Sequence, residues 1–149
     1  LGGTGFVAGG VMAIFFGDRM ERKYQIAIAS VVLSIGFLLR GALVDDFGGL
    51  VLAGFIAFFA NAWVITALLT YTAENFPTRV RSSATGMVEG SSRGIAAIAP
   101  LVFVALEPAG FMSLMATISV FSFVGAAVML AFGIKTRGRP LEKLASDST

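Results

Sequence analysis

Two ionisable residues stand alone in an apolar part of the chain. Glu89 and Arg93 lie four residues apart, and they are the only charges between Arg81 and Glu107. At the centre of a membrane helix each would cost on the order of 2.5–3.5 kcal/mol, so neither belongs against lipid. The acid-first i,i+4 order favours a mutual pair. Such a pair either braces two helices, or presents Arg93 to an anion such as a carboxylate while Glu89 sets its charge or carries a proton.

A second group of polar side chains, Asn61, Trp63, Thr66 and Thr70, falls largely on one broad face at helical spacing. Residues of this kind either bond across to neighbouring helices or line a wet cavity. Asn61 and Trp63 lie about 15 Å from the charged break that follows, which places them near the middle of a bilayer. That break, Tyr71 to Arg81, carries Glu74, Pro77, Arg79 and Arg81. An earlier charged loop, Asp18-Arg19-Met20-Glu21-Arg22-Lys23, has the same mixture of signs.

The elements that must position these residues are apolar runs. Hydrophobic residues make up 56% of the 149 and charged residues 13%, against about 45–50% and about 25% in ordinary soluble domains. A bilayer is the solvent this composition predicts. The spacing predicts an all-α integral membrane bundle over residues 1–134, with spans at about 1–17, 24–44, 50–72, 82–106 and 111–134. Residues 135–149 follow as a basic tail. In the first span Gly5 and Gly9 form a small-xxx-small pair that lets another helix approach closely. Arg40 snorkels toward the headgroups near the end of the second span. Asp45-Asp46 makes an acidic turn with Gly48-Gly49 opening the third span, and Pro100 bends the fourth. Ser82, Gly86, Gly90 and Gly94 give that fourth span a small-residue stripe beside the charged pair. Glu107 to Gly110 is a tight turn, and the fifth span reads as peripheral scaffold. The chain starts at Leu1 inside an apolar run and is read as a fragment, without the basic start of a signal peptide.

The basic residues Arg19, Arg22, Lys23, Arg79, Arg81, Lys135, Arg137, Arg139 and Lys143 all fall in alternate connections or the tail, whereas the loops at 45–49 and 107–110 hold none. By the positive-inside rule the first set is cytoplasmic, the start is outside and the C-terminus is inside, as five spans require. The +2 net charge forms no basic face for nucleic acid. With no histidine and no cysteine, disulfides, cysteine-bound metals and a histidine base are excluded. No metal site, cofactor or enzyme motif is predicted.

Several of these stretches carry a family resemblance. Gly17-Asp18-Arg19-Met20-Glu21-Arg22-Lys23 resembles the Gly-x-x-x-Asp-Arg-x-Gly-Arg-Arg/Lys loop of major facilitator superfamily transporters. Glu74 and Arg81, with Pro77-Thr78-Arg79 between them, are similar to the Glu-x6-Arg element of the sugar-porter-like branches. Tyr71-Thr72-Ala73-Glu74 and the run from Gly86 through Arg93-Gly94 to Pro100 resemble the metabolite-proton symporters and synaptic-vesicle-protein relatives. Arg137-Gly138-Arg139-Pro140-Leu141-Glu142 resembles the Thr-Lys-Gly-Arg-x-Leu-Glu ending of sugar porters. Glu21 stands where the loop motif has glycine, so a left-handed turn there would be strained.

The resemblance spans nearly the whole chain and implies the last five helices of a twelve-helix fold in a plasma or inner membrane. The remaining N-terminal half and membrane lipid are then its partners, and its cargo is a small organic solute, a carboxylate or sugar-like metabolite, moved by alternating access and coupled to protons. Arg93, Glu89, Asn61, Trp63, Thr66 and Thr70 become candidates for binding or coupling. Asp18, Arg19, Arg22, Glu74, Arg79 and Arg81 become a cytoplasmic gate. In that gate Asp18 accepts bonds from the amides opening the Ser82 helix, Arg19 or Arg22 pairs with Glu74, and Glu74 pairs with Arg81. Two alternatives stand beside this: solvated charges that only set topology, and a non-transporting sensor or scaffold that keeps the fold.

Overall fold

Length and uninterrupted apolarity produce helix throughout. In a computed structural model describing residues 2–17, 19–76 and 78–133, the elements are α1 (Gly2–Gly17), α2 (Arg22–Ala42), α3 (Phe47–Asn75), α4 (Thr78–Leu106) and α5 (Phe111–Phe132). A single 3-10 turn, Glu107–Ala109, joins α4 to α5. Four of these helices are long and apolar enough to cross a membrane, and α1 is a shorter apolar helix. The architecture is all-α among the described residues and compatible with a multi-pass membrane protein. Expectations at Leu1, Asp18, Pro77 and the tail lie outside the described residues.

Capping explains why the helices run past the apolar segments. Asp46 accepts from the amides of Gly48 (3.2 Å) and Gly49 (3.0 Å), so α3 starts at Phe47 and the glycine pair lies within its first turn. At the other end, Asn75 Nδ2 donates to the Tyr71 carbonyl at 2.9 Å, and α3 continues through the residues expected to form a hinge. Within the expected hinge of 71–81, α3 continues to Asn75, Phe76 is extended (φ −110, ψ 130), and α4 begins at Thr78. At 29 residues, α3 is about 43 Å long, more than the roughly 30 Å of a hydrocarbon core. Its polar last turn can thus stand clear of the apolar layer.

Glu21 does not need a left-handed backbone. It is extended at φ −62, ψ 136 and precedes α2 as its N-cap. The one positive φ among the described residues belongs to Gly110, at 87, where the chain turns from Glu107–Ala109 into α5.

Packing is by small residues. A Cβ added to Gly5 would sit 2.9 Å from the Phe55 carbonyl oxygen, and one added to Gly9 would collide with the Phe59 carbonyl, so both glycines let α1 lie directly on α3. Gly36 does the same for α2 on α3, where the Ala57 amide nitrogen is 3.0 Å from the position a Cβ would take. Gly41 brings α2 against Met112 and Met115 of α5. The buried set is correspondingly rich in alanine: Ala29, Ala53, Ala57, Ala60, Ala62, Ala67 and Ala126. Within it, Trp63 fills the space among Ala13, Ile26, Ala29 and Ala67 of α1, α2 and α3.

The fourth helix differs. No residue from Arg79 to Leu106 is buried, and Gly86, Gly90 and Gly94 have no atom of another element within 4 Å of an added Cβ. Helix α4 runs through Pro100 without interruption.

Candidate functional site

One end of the bundle gathers the charges of two connections. Arg22, the first residue of α2, donates through Nε to Glu74 Oε1 in the last turn of α3 at 3.0 Å. The arginine side chain is 16% exposed and the glutamate 37%. A pair at this depth is worth about 1 kcal/mol or less once solvent screening is allowed for. Its value is positional: it ties the start of α2 to the end of α3.

Just behind this pair, Gln25 is fully buried and its Nε2 donates to the carbonyls of Phe16 (2.6 Å) and Met20 (3.2 Å). These belong to the end of α1 and the loop after it, where the Phe16 carbonyl also accepts from the Arg19 and Met20 amides at 3.1 Å. Gln25 therefore fixes the α1–α2 connection, and its Oε1 is buried with no bond of its own. Sequence reasoning missed this residue. Its signal was an amide standing in the first turn of an apolar helix directly after a charged loop.

The other gate candidates are spread around this core. The Arg19 guanidinium stacks 4.5 Å from the Phe15 ring centroid. Arg79 is exposed. Arg81 forms no ion pair with Glu74. Its Nε instead reaches back 3.3 Å to the Phe76 carbonyl, which the end of α3 leaves open. Of the pairings expected at Glu74, the one with Arg22 is formed and the one with Arg81 is not seen among the described residues; Asp18 lies outside them.

On α3 the polar residues are turned to local uses. Thr66 Oγ1 donates to the Ala62 carbonyl and Thr70 Oγ1 to the Thr66 carbonyl, each at 2.9 Å, one turn back in the same helix. Trp63 is 7% exposed, packed edge-on to Phe59 and tilted against Phe16, with its Nε1 buried and unpaired. Asn61 is half-buried. In this arrangement the indole is core rather than cavity wall.

Glu89 and Arg93 do approach each other, with Arg93 Nε 3.8 Å from Glu89 Oε2, but they are 51% and 84% exposed. Arg93 is fifteen residues from the start of α4 and thirteen from its end, close to the middle of the helix. The structure does not bring this pair together with Asn61, Thr66 or Thr70 through any bond among the described residues.

A second interhelical polar contact lies elsewhere. Ser119 Oγ donates to the Ser34 carbonyl at 2.8 Å, and Ser34 Oγ lies 2.6 Å from Ser119 Oγ and 3.0 Å from the Ser119 carbonyl. This buried clamp joins α2 to α5. It makes α5 more than peripheral scaffold.

The fold and these sites define a chain that is all-helical among the described residues and compatible with a multi-pass membrane protein, with an ion pair tying α2 to α3 and an uncovered helix carrying two charges. Comparison with protein families, curated proteins and solved structures returned no match.

Proposed function

We propose that this chain is the C-terminal part of a secondary active transporter of the major facilitator type. It moves a small organic solute, a carboxylate or sugar-like metabolite, by alternating access, and Glu89 couples the movement to protons. The observation that carries this reading is the Glu89–Arg93 pair, exposed at mid-length on a helix apolar enough to cross a membrane. Two charges cannot be left against hydrocarbon at on the order of 2.5–3.5 kcal/mol each. A second half of the protein and an aqueous path between the halves would remove that cost, and a guanidinium on such a path attracts a carboxylate.

The Arg22–Glu74 pair supports the same reading as a weak, breakable latch, placed on the cytoplasmic side by the positive-inside rule. A link of about 1 kcal/mol can open and close within a transport cycle without trapping either state.

The test is uptake of radiolabelled mono- and dicarboxylates and hexoses into proteoliposomes carrying the complete protein, with and without an inward proton gradient. Gradient-driven uptake of at least one solute is expected, with Arg93→Gln lowering kcat/KM at least about tenfold and Arg93→Lys retaining part of it. Uptake unchanged in both Arg93 variants would remove the substrate role. No uptake by a correctly folded protein would favour the sensor or scaffold reading.

A further inference from the structure

The start of α2 and the end of α5 form a feature independent of transport. An apolar groove of about 220 Å³ lies between these helices, lined by Tyr24, Ala27, Ile28, Val31, Val32 and Leu130. Residues 24 to 32 of α2 give it a length of about 12 Å along the helix axis. Its walls are entirely side chains that prefer hydrocarbon to water.

One end of the groove is different in kind. The Lys23 ammonium sits 5.1 Å from the centroid of the Tyr24 ring that forms the groove wall. Its stem is pressed against the last turn of α5, since a Cβ on Gly133 would lie 3.2 Å from Lys23 Cβ. Lys23 makes no ion pair among the described residues, whereas its neighbour Arg22 is committed to Glu74. Beyond Gly133 the sequence adds Lys135 and Arg137. An aromatic ring and a lysine at a helix end mark the headgroup level of a bilayer, and the groove runs from that level toward its interior.

We propose that this groove is a binding site for an anionic phospholipid, with the phosphate at Lys23 and one acyl chain laid along Tyr24 to Val32. The two halves of such a ligand match the two halves of the site: a fixed negative charge beside an unpaired ammonium, then a flexible alkyl chain against an apolar trough. A zwitterionic lipid offers the same chain and less net charge, so it occupies the groove more weakly. The lipid would tie α2 to α5 at the end opposite Gly41 and Met112, with the Ser34–Ser119 clamp between.

Native mass spectrometry of the detergent-purified full chain tests this, using palmitoyl-oleoyl phosphatidylglycerol and phosphatidylcholine as probes. The wild type is expected to retain one phosphatidylglycerol with about a fivefold preference over phosphatidylcholine, the worth of one basic group at an anionic surface. Lys23→Gln should bring the two lipids to within about twofold of each other and Lys23→Arg should keep the preference, since only the charge is removed in the first. Val31→Trp, which fills the trough, should reduce retention of both lipids, with circular dichroism confirming unchanged helicity. Equal retention of the two lipids by the wild type, a preference that survives Lys23→Gln, or undiminished binding in Val31→Trp would each overturn the site. None of these readouts depends on solute transport.

Discussion

Helices α1, α2, α3 and α5 can be set against α4. The first four bury small residues against one another, join α2 to α5 through a buried serine pair, and leave the apolar side chains of their outer faces exposed. Helix α4 buries nothing, yet it holds the two most costly side chains of any described helix interior and a row of three open glycines. These two regions are built for different surroundings. A self-packed bundle needs only lipid outside it, whereas α4 has a face suited to lipid and a face suited to neither lipid nor the rest of this chain.

The largest expected effect separates the two kinds of glycine. Gly9→Leu forces a side chain into the Phe59 carbonyl and should lower stability in detergent by on the order of 1–3 kcal/mol, whereas Gly90→Leu, with open space around it, should change it by less than about 0.5 kcal/mol. Equal losses at both positions would show that α4 is already packed in the isolated chain. Next is the serine clamp. A double-mutant cycle over Ser34→Ala and Ser119→Ala, followed by denaturant titration, should return a coupling of about 0.6–1.7 kcal/mol. A value near zero would mean that α5 is held by shape alone.

Smaller still is the latch. Glu74→Gln should cost under about 1 kcal/mol, and it should be non-additive with Arg22→Gln but additive with Arg81→Gln. Coupling to Arg81 instead would restore the pairing that its spacing in the sequence suggests. The smallest effect belongs to Thr66→Val, which loses only a bond to its own helix and should stay within about 0.5 kcal/mol.

Much of the fold was legible because uninterrupted apolarity is a local signal. Gly5 and Gly9 announce close helix contact by spacing, and charge matches Glu74 to Arg19 or Arg22, of which Arg22 forms the ion pair with it. The rest was hidden for physical reasons. Ser34 and Ser119 are separated by 85 residues, and each alone looks like a neutral passenger in a helix, so their partnership depends on the α2–α5 register that one-dimensional spacing does not carry. Gln25 went unread because its partners are main-chain carbonyls at the preceding helix end and loop, which have no signature in residue type. Trp63 was read by its polar tip, whereas its large apolar ring decided its place. The apparent hinge shortened because caps and back-bonds at Asp46 and Asn75 extend α3 beyond its apolar stretch at both ends.

On the proposed function, the Glu89–Arg93 face of α4 meets water in the complete protein while its opposite face meets lipid. The chain has no cysteine, so single cysteines can be introduced without background. In membranes carrying the complete protein, Gly90→Cys lies beside the charged pair, and Ile95→Cys lies on the far side of the same helix. Labelling with a charged, membrane-impermeant maleimide should modify Gly90→Cys and spare Ile95→Cys. Protection of both, or equal modification of both, would contradict the account.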